Sequence, residues 1–195
     1  MNKAFCAVAA SALMLAGCHP RPAEAPPLAG AKIGGAFSLT DQDGRRFDSR
    51  SLAGRYPIVY FGYTFCPDIC PTDMQALGKG LRTFETRDAT RAAKVQPVFV
   101  TVDPERDTPV VLKSFVRAFH PRLIGLTGTP AEIAGVAKQY AIFYRKQPPA
   151  RSGDGYMVDH SRQAVLFGPD GGPIALVPVD ADGDAVAATL AQWVR

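Results

Sequence analysis

Tyr60-Phe61-Gly62-Tyr63-Thr64-Phe65-Cys66-Pro67-Asp68-Ile69-Cys70-Pro71 decides how the rest of the chain is read. The run Ile58 to Tyr63 is apolar enough for a buried strand. It enters a turn that carries two cysteines, and a helix is expected to begin at the second. Pro71 falls where a first helical turn tolerates proline. Free N–H groups and the dipole of such a helix stabilise a thiolate at its mouth. The spacing is Cys-x3-Cys, not the Cys-x2-Cys of disulfide exchangers, and the extra residue points to a different task.

Downstream, Met74, Leu77, Leu81 and Phe84 recur at helical spacing and form one face. Gly78 and Gly80 interrupt that helix, each at a cost of roughly 1 kcal/mol relative to Ala. Val95 to Val102 reads as a strand buried on both faces. Thr108 then caps a helix with Pro109 at its first position, and His120-Pro121 stops it. Leu123 to Leu126 is a short strand, and Thr129-Pro130 opens a helix through Tyr140. Residues 148–155 form a Gly/Pro loop leading to Tyr156–Ser161. Gln163–Phe167 and Ile174–Val179 make a hairpin, and Asp182 caps a last helix through Trp193. Upstream, Phe37–Thr40 and Arg45–Phe47 flank the turn Asp41–Gly44. Parallel strands with crossover helices precede an antiparallel hairpin. That order predicts a thioredoxin-like α/β sandwich with an extra N-terminal hairpin and an inserted helix. His160 then lies in a loop facing the thiol turn.

The 195 residues are enough for one domain with a sizeable core, and the 47% hydrophobic content is that of a globular protein. The net charge of +4 comes with no basic run, so nothing points to nucleic acid. A mildly basic chain suits residence near an anionic membrane. Residues 1–17 carry one charge, Lys3, and an apolar run from Ala4 to Leu15, too short to span a bilayer well. This reads as a secretory signal. It ends in Leu15-Ala16-Gly17-Cys18, which resembles a bacterial lipobox with Cys18 lipidated. Residues 18–33 then form a lipid anchor and a Pro/Ala-rich tether, and 34–195 form the folded domain. The placement expected is the periplasmic side of a bacterial envelope, with the chain anchored to the membrane by lipid. His19, at the head of the tether, reads as a solvated residue.

With Cys6 and Cys18 in the leader, Cys66 and Cys70 are the cysteines of the mature domain. On one helical turn their Cα atoms stand about 6 Å apart, near the upper end of what a disulfide spans. A disulfide, a working dithiol and a metal-binding pair all remain open from spacing alone. Two thiolates and one imidazole, Cys66, Cys70 and His160, would form a soft set suited to Cu(I), and with a further oxygen ligand to Cu(II). A structural zinc takes four protein ligands, and three good ones are present. The expected role of Asp68 is to cap the turn, of Asp103 to end its strand by accepting backbone N–H groups, and of Asp159 to orient the His160 ring. His120 reads as a charge on a helix C-terminus.

Three separated motifs then resemble the Sco/SenC family: Gly62–Thr72, Val102-Asp103-Pro-Glu-Arg-Asp107-Thr-Pro109, and Val158-Asp159-His160-Ser161 before Gly168–Gly171. The resemblance runs from about Gly34 onward. It implies a membrane-tethered thioredoxin-like domain that binds copper through Cys66, Cys70 and His160. It also implies delivery of copper or reducing equivalents to the dinuclear copper centre of cytochrome c oxidase subunit II. On that reading the reduced pair holds Cu(I), and a Cys66–Cys70 disulfide releases it. The alternatives are a thiol–disulfide reductase that uses Cys66 and Cys70 on the oxidase cysteines, and a redox or copper sensor. A peroxidase is disfavoured because the cysteines are paired.

Overall fold

The computed structural model describes residues 24–148 and 155–195. The segment read as a secretory signal, Cys18 and His19 lie outside the described residues, as does most of the loop expected over 148–155. The centre is a parallel pair, β3 (Tyr56–Gly62) and β4 (Val95–Thr101). β5 (Ile124–Thr127) extends it in parallel beside β4. The hairpin of β1 (Ser38–Asp41) and β2 (Arg46–Asp48) closes that side. On the other side β8 (Ala164–Phe167) runs antiparallel to β3, and β9 (Pro173–Val177) antiparallel to β8. The result is a seven-stranded sheet in the order β2-β1-β5-β4-β3-β8-β9.

Side chains alternate across β3, so Ile58 and Tyr60 enter one core and Val59 and Phe61 the other. The first core is covered by α1 (Ile69–Arg87), α3 (Pro109–Phe119) and α5 (Gly183–Trp193). The second is covered by α4 (Pro130–Gln139). A short α2 (Ala89–Ala92) turns the chain from α1 into β4. Thr108, Thr129 and Asp182 cap their helices through side-chain oxygens, as their sequence positions predict. Met74, Leu77, Leu81 and Phe84 are all buried. This is the thioredoxin-like arrangement, with the N-terminal hairpin added. Among the described residues no helix is long and apolar enough to cross a membrane.

Two features depart from the sequence reading. Met157–His160 is a strand, β7, paired antiparallel with β6 (Tyr144–Gln147), so that Tyr144 faces His160. His160 therefore ends a strand, not a loop. Tyr144-Arg-Lys-Gln offers one apolar residue and no alternation, so nothing local marks it as a strand. The second feature is the stretch read as tether. Its Leu28 and Ile33 pack on the second core, and the Leu28 N–H donates to the Ile174 carbonyl at 3.0 Å.

Gly78 and Gly80 are not mere weak points of α1. A Cβ on Gly80 would lie 2.4 Å from the Val186 side chain and 2.7 Å from the Gly183 carbonyl. One on Gly78 would lie 2.6 Å from the Phe119 carbonyl. These glycines let α1 lie against α5 and the end of α3. Helix propensity alone predicts that Gly80→Ala stabilises the chain by about 1 kcal/mol. Overpacking predicts the opposite, a loss of about 1–3 kcal/mol. We expect the loss, read as a lower urea midpoint with an unchanged slope.

Candidate metal centre

Cys66 and Cys70 lie where β3 gives way to α1, and β7 brings His160 to them. Both thiols are free. Cys70 is fully buried and Cys66 is 9% exposed. The Cys70 N–H donates to the Cys66 sulfur at 3.4 Å, and His160 Nε2 stands 3.4 Å from the Cys70 sulfur. His160 Nδ1 is 2.9 Å from the Ser161 carbonyl. A carbonyl only accepts, so Nδ1 carries the proton. In the neutral ring Nε2 then offers its lone pair toward the Cys70 sulfur. The Tyr60 and Tyr63 rings stand nearly perpendicular to the imidazole, with centroids 6.3 and 5.9 Å away.

The two thiols are electrostatically unlike. A hydrogen bond from the Cys70 thiol lowers the Cys66 pKa to about 3. The N–H groups of Cys70 and Asp68 add to this, against an opposing burial effect. Cys70 is pushed up, first by that same bond to Cys66 and then by burial. The first proton to leave the pair belongs to Cys66, and the second is held.

Outer contacts hold the site. The Tyr60 hydroxyl donates to Asp73 at 2.8 Å, and its pKa is raised by burial and by Cys70 and Asp73 beside it. Asp73 is fully buried and takes a two-pronged bond from the Arg162 guanidinium, at 2.8 and 2.6 Å. Asp107, also buried, accepts from the Thr64 N–H (3.0 Å), the Thr64 hydroxyl (2.6 Å) and the Thr101 hydroxyl (2.6 Å). Burial pushes its carboxyl up. Arg106 lies over Tyr156 at 3.8 Å and Phe65 at 4.9 Å, tying the thiol turn to the start of β7.

Four sequence expectations are corrected. Asp68 stands at the N-cap of α1 but its side chain makes no capping bond. Asp103 does not close its strand on backbone N–H groups. It is buried and accepts from the Arg106 guanidinium and from the Tyr156 hydroxyl, the latter at 2.6 Å. Asp159 points away from His160, to the Gln147 amide, and the Ser161 carbonyl orients the ring instead. His120 is buried and accepts the Arg122 N–H at 3.3 Å. Burial lowers its pKa against the pull of the Glu85 carboxylate, 3.3 Å from its Nε2, and this lowering weighs against a charge on the helix end. The sequence reading passed over Tyr60, Asp73, Arg162 and Arg106. An acid on the apolar face of α1, next to Met74, was the available signal for Asp73.

A family model described as SCO1/SenC matches residues 25–195. The chain belongs to the SCO1/SenC family. It is similar to Protein SCO1, mitochondrial, of Saccharomyces cerevisiae, at 40% identity over 139 residues, 71% of this chain and 46% of that protein. It is also similar to Protein SCO1 homolog 1, mitochondrial, of Arabidopsis thaliana, at 38% identity over 172 residues, 88% of this chain and 50% of that protein. The chain spans about half the length of these curated relatives. Among solved structures, Bradyrhizobium japonicum ScoI with copper bound matches at a TM-score of 0.74 and 39% identity, over 83% of this chain and 99% of that one. Yeast Sco1 with copper bound matches at 0.74 and 35%, over 83% and 88%.

Among the described residues of this SCO1/SenC chain no His, Cys, Asp or Glu group stands ready-spread as a metal cage. The trio is closed on itself by thiol and imidazole contacts. The low pKa of Cys66 sets its reactivity. We expect iodoacetamide to modify Cys66 first, at a rate nearly level from pH 5 to 8, while Cys70 stays unmodified. A rate climbing through pH 8–9, as for an ordinary thiol, would contradict the assignment. Mass spectrometry of the labelled peptide measures both.

Proposed function

We propose that this chain binds copper through Cys66, Cys70 and His160 and serves assembly of the dinuclear copper site of cytochrome c oxidase subunit II. The observation that carries the reading is the fixed His160 tautomer. Its Nε2 lone pair converges with a thiolate-forming Cys66 and with Cys70, which makes a soft three-donor set fit for Cu(I). The copper-bound relatives from Bradyrhizobium and yeast support the choice of metal. The oxidase as recipient comes from the family resemblance. We further propose that a lipid on Cys18 anchors the chain to the outer face of a bacterial inner membrane, on the strength of Leu15-Ala16-Gly17-Cys18.

Copper is the cargo. Its binding requires both sulfurs as thiolates, so Cys70 must give up the proton it holds. His160 donates from Nε2 while its Nδ1 stays on Ser161. Burial keeps competing water from the sulfurs. Handover then needs a recipient with softer or more numerous donors at the open side, where Cys66 is the more accessible sulfur.

The unlike thiols also favour a second duty, reduction of a disulfide in the recipient. The Cys66 thiolate would attack one recipient sulfur and form a mixed disulfide. Cys70 would then resolve it, so that two electrons pass, the recipient leaves as a dithiol and Cys66–Cys70 becomes the disulfide. A disulfide removes both sulfur donors, so the two duties exclude each other at any instant.

Anaerobic Cu(I) titration against a competing chelator tests the reading. The reduced protein should take up one copper, and Cys66→Ser, Cys70→Ser and His160→Ala should each weaken it at least about tenfold. If His160→Ala binds as well as wild type and still reduces a disulfide substrate, the chain is a thiol–disulfide enzyme instead.

A further inference from the structure

At the end of the sheet opposite the thiols, cations gather round one short stretch of backbone. Arg55 donates to the Ala93 carbonyl at 3.3 Å and to Gln96 at 2.9 Å. Arg122 donates to the carbonyls of Ala92 and Val95, at 3.0 and 2.7 Å. Arg91 holds the carbonyls of Ala191 and Val194, and Lys94 that of Arg195. Arg87 ends α1 beside them. Against these cations and Arg195 stand three carboxylates: Glu85 and Asp88, paired with Arg122 and Arg91, and Glu24, hydrogen-bonded to Gln192. Arg87, Lys94 and Arg195 are exposed. A cleft of about 370 Å³ opens between Arg55 and Arg122.

The N-terminal segment meets the domain at this same end. Leu28 bonds to Ile174, at the start of β9. Glu24 accepts from Gln192, the neighbour of the Ala191 that Arg91 holds. β3 separates this corner from the thiols by roughly 20 Å, at about 3.3 Å per residue.

We propose that this basic corner rests on an anionic phospholipid surface and turns Cys66, Cys70 and His160 away from the bilayer. The inference deepens the membrane-tethered reading above and rests on it. Phosphodiester headgroups match guanidinium and ammonium groups that carry few carboxylate partners. Their attraction acts within about a Debye length, so it needs the corner close to the surface. A segment that meets the domain beside Gln192 brings it there. The opposite end, with the metal centre, then faces a recipient that projects from the membrane.

The test uses the chain from Glu24 onward, which holds both cores and the whole of the family match over residues 25–195. It is sedimented with vesicles of phosphatidylcholine alone, or with about one third phosphatidylglycerol, at low salt. Anionic vesicles should bind it at least about tenfold better, and ~0.5 M salt should abolish the difference. The combined variant Arg87→Glu/Lys94→Glu/Arg195→Glu should lose the preference. Arg46→Glu/Arg145→Glu/Lys146→Glu, the same charge change at the thiol end, should keep it. Equal binding to both vesicles, or equal loss in both variants, overturns the proposal. Circular dichroism confirms that each variant is folded. Palmitate labelling of the full chain tests the lipid on Cys18 separately, and its failure would leave the vesicle result unchanged.

Discussion

The Cys70 sulfur lies against the end of β3 because residue 62 has no side chain. A Cβ on Gly62 would stand 3.1 Å from that sulfur, and closer still to Tyr60. The seat fixes the buried thiol at the point where the strand ends and the helix begins. The other parts of the site take their positions from it. Cys66 lies one turn earlier and accepts the Cys70 N–H. His160 closes on Cys70 from β7. Tyr60, one strand pleat below, links the same sulfur to Asp73 and Arg162.

That placement makes two chemically identical side chains unlike. Cys66 caps the helix with its sulfur and gains the charge of the free N–H groups. Cys70 is enclosed by aromatic rings and by its neighbour's negative charge. One sulfur is ready to react or to bind, and the other follows only when something takes its proton. Metal binding and disulfide formation both do so, and one pair can therefore serve either chemistry.

Much of this was legible locally. The strand–turn–helix around Cys66 and Cys70, the caps at Thr108, Thr129 and Asp182, and the apolar face of α1 follow from periodicity and capping chemistry. The partners of the site did not follow. Ser161 orients His160 through a backbone carbonyl, which no side-chain pattern announces. The pairing of Asp73 with Arg162 joins residues far apart in sequence. β6 pairs with β7 although its own residues are polar. Gly78 and Gly80 read as faults in a helix until their neighbours in α3 and α5 are known. Local chemistry shows in a single sequence, and long-range pairing does not.

The central claim is that Cys66, Cys70 and His160 hold one copper together. X-ray absorption at the copper edge of the reduced, copper-loaded chain tests it most directly. The account predicts two sulfur donors and one imidazole nitrogen, with the nitrogen lost in His160→Ala. A spectrum of sulfur donors alone, unchanged in His160→Ala, would contradict it.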